Sequence, residues 1–164
     1  MHSESMREMQ KFADMLPTDR LLRIGDVGSQ DINGCYRRLF LQWDYVGLDI
    51  VPGPNVDVVL NAEWSNAGEF DVVISGQTLE HVRQPWDIMR RIATITKPGG
   101  KLCIIAPHTF PFHEYPEDCW RIWPDGMRGL FEYVGFRELS IYKNESDTIG
   151  IGERLMLDAR YYAP

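Results

Sequence analysis

Apolar residues form two kinds of pattern, which alternate along this chain. The first is a short continuous apolar run, which predicts a strand covered on both faces, as in a parallel sheet. The predicted strands, of which the last two show alternating patterns, are Leu22–Val27, Tyr45–Val51, Asp57–Leu60, Asp71–Ser75, Lys101–Ala106, Phe136–Tyr142 and Arg154–Tyr161. We therefore expect an open sheet of about seven strands.

The second pattern is a spacing of three and four between apolar residues, which predicts amphipathic helices. Its clearest cases are residues 3–16 (Met6, Met9, Phe12, Ala13, Leu16), a helix from Pro85 with an inward face (Trp86, Met89, Ile92, Ala93, Ile95) and a helix from Pro124 (Met127, Leu130, Phe131, Val134). Pro17, the run Lys97–Gly100 and Gly135 are expected to end these helices. A short helix is also expected between the first two strands.

This alternation of strands and helices predicts an α/β fold: a Rossmann-like, mostly parallel sheet with helices on both faces. The last two predicted strands are joined by Lys143–Gly152, a segment without helical pattern. Because parallel neighbours need a longer crossover, one closing strand is expected to be antiparallel. We expect residues 1–164 to form one domain, with an N-terminal helix within residues 1–17.

Composition narrows the classes of function. The formal net charge of -7 argues against a surface that neutralises phosphates, so no nucleic-acid partner is expected. The three cysteines, Cys35, Cys103 and Cys119, form no C-x-x-C pair, and we predict no metal site and a reducing, cytoplasmic location. No apolar stretch has the length of a signal peptide core or of a membrane span, so no membrane partner is expected.

Residues 22–49 form the most informative segment of the chain. A strand leads into a glycine-containing turn, a short helix and a second strand that ends in an acid. This order is typical of sites for nucleoside-bearing cofactors. The glycines of Gly25–Ser29 let the backbone approach the ligand, and Asp49, about twenty residues beyond, is placed to accept hydrogen bonds from both ribose hydroxyls. We expect the ligand to lie beyond the carboxyl ends of the strands.

Four segments resemble, in order, the class I S-adenosylmethionine-dependent methyltransferases, and the chain looks like a small, type 11-like member. The segments are IGDVGS (24–29), YVGLDIV (45–51), VVLNAE (58–63) and FDVVISGQTLEHV (70–82). The resemblance implies a site for S-adenosylmethionine, with S-adenosylhomocysteine as the product. The cofactor-binding residues that it implies are Asp26, Gly28, Ser29, Gln30, Asp49, Ile50, Asn61, Ala62, Ser75, Gly76 and Gln77.

The resemblance also assigns parts of the cofactor to these residues. It places Asp26 near the methionine part, Asp49 at the ribose, and Ile50 with residues 61–62 around the adenine. It also places the segment Ser75–Gln77 at the sulfonium end.

One position departs from the glycine-rich turn of the family. Gln30 stands where the second glycine of D-x-G-x-G-x-G is usual, so a side chain must be accommodated there. Gln30 or Asp31 can then hydrogen-bond the amino acid moiety of the cofactor. The missing glycines also argue against a dinucleotide, because a pyrophosphate cradle depends on them.

The segment 108–123 is predicted to be a loop on the substrate side. Methyl transfer from a sulfonium depends mainly on alignment, and a base helps when the acceptor is a hydroxyl. His113 and His108 are the candidate bases, whereas His81 is interpreted as structural. The loop resembles a bacterial subgroup with the pattern H-x-x-P-x-D-x-W-R-x-x-P, matched by His113, Pro116, Asp118, Trp120, Arg121 and Pro124. Several members of that subgroup are encoded among genes for the modification of surface polysaccharides or small metabolites, so the resemblance implies a small-molecule or carbohydrate-like acceptor, and we expect methylation at oxygen.

Three other functions remain open at this point. An NAD or nucleotide-sugar enzyme predicts a fuller glycine fingerprint than this chain carries. A cofactor-binding regulatory subunit without transferase activity is compatible with the same motifs. A nucleic-acid methyltransferase predicts a basic face and an N-P-P-Y type motif after the fourth strand, where this chain has Ser75–Thr78.

Overall fold

The computed structural model describes residues 3–114 and 116–156. The helices are α1 (Ser3–Asp14), α2 (Pro85–Ile95) and α3 (Pro124–Tyr133). The strands are β1 (Arg23–Val27), β2 (Asp44–Asp49), β3 (Val58–Val59), β4 (Phe70–Gly76), β5 (Thr96–Pro107), β6 (Phe136–Lys143) and β7 (Asp147–Arg154). Among these described residues, no helix combines the length and the apolar character that crossing a bilayer requires.

All seven strands belong to one sheet, in the order β3-β2-β1-β4-β5-β7-β6. Strands β1 to β5 pair in parallel, and β7 is antiparallel to both of its neighbours. The predicted α/β class and the antiparallel closing strand are thus confirmed. The chain leaves β1 towards one edge and returns to β4 on the other side of β1, so the strand order reverses between these two strands. A ligand site is expected at this reversal, beyond the carboxyl ends of β1 and β4.

Apolar side chains cover both faces of the sheet, which is why the central strands are continuous apolar runs. On one face, α2 and α3 pack through residues such as Met89, Ile92 and Phe131. On the other face, Met9 and Phe12 of α1 pack beside Phe40. A fully buried side chain of this size contributes about 1.5–3 kcal/mol relative to an exposed one. Helices therefore cover both faces, as the sequence predicts.

Helix α1 is fixed to the sheet by polar contacts as well as by apolar ones. The hydroxyls of Ser5 and Tyr36 lie 2.5 Å apart in the interior. Glu8, also buried, accepts hydrogen bonds from the Tyr142 hydroxyl at 2.8 Å and from the Lys11 ammonium at 2.9 Å. Because Tyr36 also lines the cavity described below, α1 supports one wall of that cavity from behind.

The last strand lies earlier in the chain than predicted. β7 covers Asp147–Arg154, most of which the sequence assigned to a loop, and the predicted strand Arg154–Tyr161 lies largely outside the described residues. Two alternate positions of β7 are glycines, which hide the apolar pattern. Side chains on Gly150 and Gly152 would press into the α3 residues Met127 and Phe131. Close packing of α3 on the strand thus explains the glycines and the missed strand.

Three smaller expectations also differ from the structure. The short helix predicted between β1 and β2 is a single 3-10 turn, Arg37–Leu39, and β3 is only two residues long. Trp86 does not point into the core with the rest of its helix face. It is 40% exposed and packs edge-to-face on Trp120, with 6.0 Å between the ring centroids. Apolar spacing alone does not distinguish a core position from a position that packs on a surface loop.

Gly47 lies where β2 touches the loop that follows it. Its N–H donates to the Asp57 carboxylate at 2.7 Å, and the Asp57 N–H donates back to the Gly47 carbonyl oxygen at 2.8 Å. A β-carbon on Gly47 would overlap the backbone carbonyl oxygen of Asn55. The loop 51–57 therefore packs on β2 only because the strand has no side chain here.

Gly47→Ala is expected to lower the free energy of unfolding by about 1–3 kcal/mol, because backbone must move to admit the methyl group. Gly129→Ala is the matched control, since a β-carbon on this residue of α3 meets nothing within 4 Å. The control should be neutral or stabilising by up to about 1 kcal/mol. Urea denaturation measures both variants, and equal effects would contradict the role given to Gly47.

Candidate cofactor and active site

A cavity of about 460 Å³ opens at the carboxyl ends of β1, β2 and β4. Its size lies within the range of about 300–1,000 Å³ typical of sites for small ligands. The residues that the sequence predicted and that line it are Asp26, Gly28, Ser29, Gln30, Asp49, Ile50, Gly76, Gln77 and His113. The structure thus brings most of the predicted cofactor residues to one cavity, together with one of the two candidate bases.

Asp49 lies at the end of β2, at the rim of this cavity. Its two carboxylate oxygens accept hydrogen bonds from the backbone N–H groups of Gln30, at 3.0 Å, and Val51, at 3.3 Å. Each carboxylate oxygen has a second lone pair. The contacts to the glycine turn and to the following loop fix the orientation of the carboxylate while leaving acceptor capacity for a ligand hydroxyl.

Two glycines allow neighbouring side chains to pack closely in the wall of the cavity. Gly28 has a φ of 76°, in the left-handed region, and a β-carbon there would overlap the Thr78 side chain. A β-carbon on Gly76 would overlap the Tyr36 hydroxyl. At these two positions the absence of a side chain makes room for Thr78 and Tyr36, which line the same cavity.

Asp26 is buried in the wall of the cavity, with 2% of its surface exposed. Its carboxylate accepts a hydrogen bond from the Tyr45 hydroxyl, while Arg37 favours its charge and Asp49 opposes it. Burial is the strongest influence and raises the pKa of Asp26 to about 7. Near neutral pH the group is therefore divided between its neutral and ionised forms in the free protein.

Asp26→Asn is expected to gain stability over the wild type as the pH rises. The pKa is about 7 in the folded state and roughly 3.9 in the unfolded chain. Between these values the unfolded chain has released a proton that the folded protein keeps, so the wild type loses stability with rising pH until about pH 7. The variant lacks this loss, and its advantage should grow by roughly 2–3 kcal/mol between pH 5 and pH 8. Urea denaturation at both values tests this, and a constant difference would argue against the raised pKa.

The apolar lining of the cavity includes residues that the sequence did not predict. Leu60 follows β3, Trp64 lies in the next turn, and Ile88 comes from α2. Trp64 is 4% exposed and has a φ of 58°, which is rare for a large side chain. The only sequence feature that could have indicated Trp64 as a lining residue is its position shortly after the third strand. These side chains give the cavity an apolar wall.

Four predicted site residues lie outside the lining of this cavity. Asn61 and Ala62 are exposed. The Asn61 side chain accepts a hydrogen bond from the Ser65 N–H at 3.0 Å and donates one to the Ser65 hydroxyl at 2.8 Å. Ser75 is buried and donates to the Val27 carbonyl oxygen at 2.8 Å, which ties β4 to the end of β1. His108, the fourth, is described next. Contact of these residues with a ligand stays a prediction.

His108 is turned towards the β6–β7 hairpin. Its Nδ1 lies 2.8 Å from the Ser146 carbonyl oxygen, and its ring lies 4.9 Å from that of Trp123. Burial lowers the pKa of His108, and the nearby positive charge of Lys143 lowers it further. Between the two candidate bases, the geometry favours His113.

His113 faces the cavity beside Glu80 and His81. The rings of His81 and His113 meet edge-to-face with 5.0 Å between their centroids, and the His81 Nε2 lies 3.7 Å from a Glu80 carboxyl oxygen. Glu80 is fully buried, which raises its pKa to about 8, and the negative charge of Asp147 adds to this. Sequence reasoning missed Glu80, although a charged residue inside the apolar turn Leu79–Val82 was a signal of an interior role.

The substrate-side loop is built around an ion pair. Arg121 donates to the two carboxylate oxygens of Asp118 at 2.6 and 2.7 Å, and also to the carbonyl oxygens of Phe110 and Pro111. Asp118 in turn accepts the backbone N–H of His113 at 2.8 Å. Hydrogen bonds from Arg121 hold the pKa of Asp118 well below its usual range. The Asp-x-x-Arg pair of the sequence pattern therefore positions His113.

Comparison with known proteins identifies the family of this chain. Residues 25–137 match the family model of the methyltransferase domain. The match covers more than half of the chain, and the chain belongs to this family. The ubiquinone biosynthesis O-methyltransferase of Caulobacter vibrioides is 44% identical over 54 residues, which are 33% of this chain and 21% of that protein. The matched segment thus spans about a fifth of the length of this curated relative.

Solved structures share the architecture at low sequence identity. The 1,6-didemethyltoxoflavin-N1-methyltransferase of Burkholderia thailandensis, with 1,6-didemethyltoxoflavin and S-adenosylhomocysteine bound, superposes with a TM-score of 0.74 at 14% identity, covering 92% of this chain and 78% of that one. A putative methyltransferase from Bacillus halodurans gives 0.71 at 10% identity, covering 94% of this chain and 100% of that one. These likenesses confirm the fold of the class I S-adenosylmethionine-dependent methyltransferases, the class recognised from the sequence.

Proposed function

We propose that this chain binds S-adenosylmethionine in the cavity at the ends of β1, β2 and β4 and transfers its methyl group to an oxygen of a small-molecule or carbohydrate-like acceptor. The observation that carries the proposal is the cavity itself. It joins a carboxylate at the end of β2, the glycine-containing turn after β1 and a histidine from the substrate-side loop.

The lining residues fit the chemical parts of this cofactor. Asp49 retains acceptor capacity for the ribose hydroxyls, and Ile50 and Trp64 offer apolar surface to the adenine. Asp26, once ionised, is complementary to the ammonium of the methionine part. Gly76 and Tyr36 line the part of the cavity that would hold the chain carrying the sulfonium. The cofactor supplies an electrophilic methyl group on sulfur, and the protein supplies its orientation.

Residues at the other end of the cavity suit an oxygen acceptor. Glu80, His81 and His113 gather there, and they can hold a hydroxyl group and take part in its deprotonation. The curated relative from Caulobacter is an O-methyltransferase, whereas the similar structure from Burkholderia is an N-methyltransferase. The choice of oxygen therefore rests on the side chains of this chain. Among the described residues of the loop 108–123, His113 and Pro116 line the cavity, and such a short stretch of wall favours a small acceptor.

Binding of the cofactor is tested by thermal unfolding with S-adenosylmethionine, S-adenosylhomocysteine and NAD. A ligand that binds only the folded state at about 100 times its Kd adds about 2.7 kcal/mol. In a domain of this size we expect a rise in Tm of roughly 5–10 °C with either sulfur compound. NAD should leave the Tm unchanged, and a shift with NAD alone would favour a dinucleotide enzyme instead.

Transfer itself is tested with S-adenosylmethionine labelled in its methyl group and fractions of a small-molecule extract. We expect label in a product whose methyl group survives alkaline hydrolysis, which cleaves methyl esters, but is released as methyl iodide by hot hydroiodic acid, which cleaves methyl ethers before methyl groups on nitrogen or carbon. Label in no fraction, from a protein that binds the cofactor, would favour the regulatory-subunit alternative.

A further inference from the structure

Glu80, His81 and His113 form a cluster whose chemistry goes beyond that of a single base. One potential ligand atom from each of the three side chains lies within 4.8 Å of those from the other two. All three residues line the cavity, Glu80 and His81 from the turn after β4 and His113 from the substrate-side loop. Two imidazoles and one carboxylate are a common set of protein ligands for transition metals.

Glu80 is the member that points most strongly to a ligand. Its side chain is fully buried, and neither carboxyl oxygen has a hydrogen-bond partner among the described residues. The nearest histidine nitrogen, Nε2 of His81, lies 3.7 Å away, which is too long for a hydrogen bond. A buried carboxyl group without partners is costly, and native proteins normally satisfy such groups with a hydrogen bond or an ion.

Both histidines present the nitrogen that a metal requires. Nδ1 of His81 lies 2.5 Å from the Glu117 carbonyl oxygen, which only accepts hydrogen bonds, so Nδ1 carries the proton. Nδ1 of His113 lies 3.2 Å from the Pro111 carbonyl oxygen and 3.5 Å from an Asp118 carboxylate oxygen. In each neutral ring, Nε2 therefore holds the free lone pair. Metal-binding histidines are usually oriented in this way, by a carbonyl or a carboxylate on the other nitrogen.

The backbone holds the two parts of the cluster together. The Cys119 and Trp120 N–H groups donate to the Glu80 carbonyl oxygen at 2.7 and 3.3 Å. The substrate-side loop is thus attached to the turn that carries two of the three side chains. Ligand bonds of about 2.0–2.2 Å to one ion bring neighbouring ligand atoms to roughly 3–3.5 Å from one another. Side-chain rotations that close the gaps by about an ångström complete the site.

We propose that Glu80, His81 and His113 bind one divalent transition-metal ion, such as Zn²⁺, Mn²⁺ or Co²⁺, and that this ion binds an oxygen of the methyl acceptor. The imidazole ligands favour these metals over Mg²⁺ and Ca²⁺. Three protein ligands leave coordination positions open to the acceptor, and a bound hydroxyl has a lowered pKa. The second half of the proposal rests on the proposed function, whereas metal binding does not. It also gives His81 a ligand role where the sequence suggested a structural one.

Metal binding is tested by titrating chelator-treated protein without a histidine tag with Zn²⁺ and Co²⁺. We expect one ion per chain by calorimetry, and visible Co²⁺ absorption bands with the intensity of a four- or five-coordinate site. Glu80→Gln and His113→Asn should each weaken Zn²⁺ binding at least tenfold. His108→Asn is the matched control, because it removes a histidine that lies outside the cavity, and it should bind one ion with unchanged affinity.

The outcomes separate this proposal from the proposed function. Circular dichroism and S-adenosylhomocysteine binding without metal establish that each variant is folded. No saturable Zn²⁺ or Co²⁺ binding by a folded wild type that binds S-adenosylhomocysteine would overturn the metal site and leave the cofactor site intact. Equal Zn²⁺ affinity in the wild type, Glu80→Gln and His113→Asn would overturn it as well.

Discussion

Asp49→Ala is expected to raise the Kd for S-adenosylmethionine by about 10–100-fold, because it removes a charged acceptor of the ribose hydroxyls. Calorimetric titration with S-adenosylhomocysteine, which shares the ribose, measures the loss without turnover. Asp44→Ala is the matched control, since Asp44 starts the same strand and lies exposed at its opposite end. The control should bind the ligand with unchanged affinity.

Asp49 also accepts two backbone N–H groups, so the variant must be tested for folding before its affinity is interpreted. A cooperative thermal transition without ligand suffices for this. Unchanged affinity in folded Asp49→Ala would refute the assignment of the ribose to this residue, and an equal loss in Asp44→Ala would indicate a general effect on β2.

His113→Ala is expected to lower kcat by about 100-fold or more, while the affinity for S-adenosylhomocysteine changes by less than about threefold. The side chain lies on the acceptor side of the cavity and carries its free lone pair on Nε2, so it acts on the acceptor rather than on the cofactor. The same loss follows whether Nε2 takes a proton or binds a metal ion. Rates of methyl transfer with the acceptor identified by labelling provide the measurement.

His108→Ala separates the two histidines that the sequence proposed. His108 contacts Ser146 and Trp123 outside the cavity, so its loss in kcat should be far smaller than that of His113→Ala. If His113→Ala weakens the cofactor as much as it lowers kcat, His113 belongs to the scaffold. If His108→Ala causes the larger loss in kcat, the order of the two candidates is reversed.

Local patterns in the sequence predicted the parts of the fold that depend on residues close together in the chain. Continuous apolar runs predicted β1, β4 and β5, because both faces of these strands are covered. The glycine turn and Asp49 were predictable because their spacing follows from one strand, one turn and the next strand. The cavity was likewise expected where the strand order reverses.

The predictions that differ from the structure share one physical cause, namely contacts between segments that are distant in the sequence. The sequence does not predict β7 because Gly150 and Gly152 interrupt its apolar pattern. Both positions require glycine because α3 packs closely against the strand, and no local pattern shows this contact. Trp86 was placed in the core because its spacing matched, although its actual partner is Trp120 of the substrate-side loop. Tertiary packing decided the outcome in both cases.

The acceptor end of the site shows the same limit. Glu80 and His81 are neighbours in sequence, but His113 joins them only when the loop folds back and bonds the Glu80 carbonyl oxygen. The sequence predicted no metal site because its three cysteines form no C-x-x-C pair, and it gave no signal that these three residues meet. The buried, unpartnered carboxyl group of Glu80 became visible only in three dimensions.

S-adenosylmethionine is expected to bind across the glycine turn, with its ribose on Asp49. A crystal structure of the protein grown with S-adenosylhomocysteine tests this most directly. We predict ribose hydroxyls within hydrogen-bond distance of Asp49, adenine between Ile50 and Trp64, and the sulfur atom directed towards Gly76 and His113. Electron density for the compound elsewhere on the protein, or an empty cavity at saturating concentration, would contradict the account.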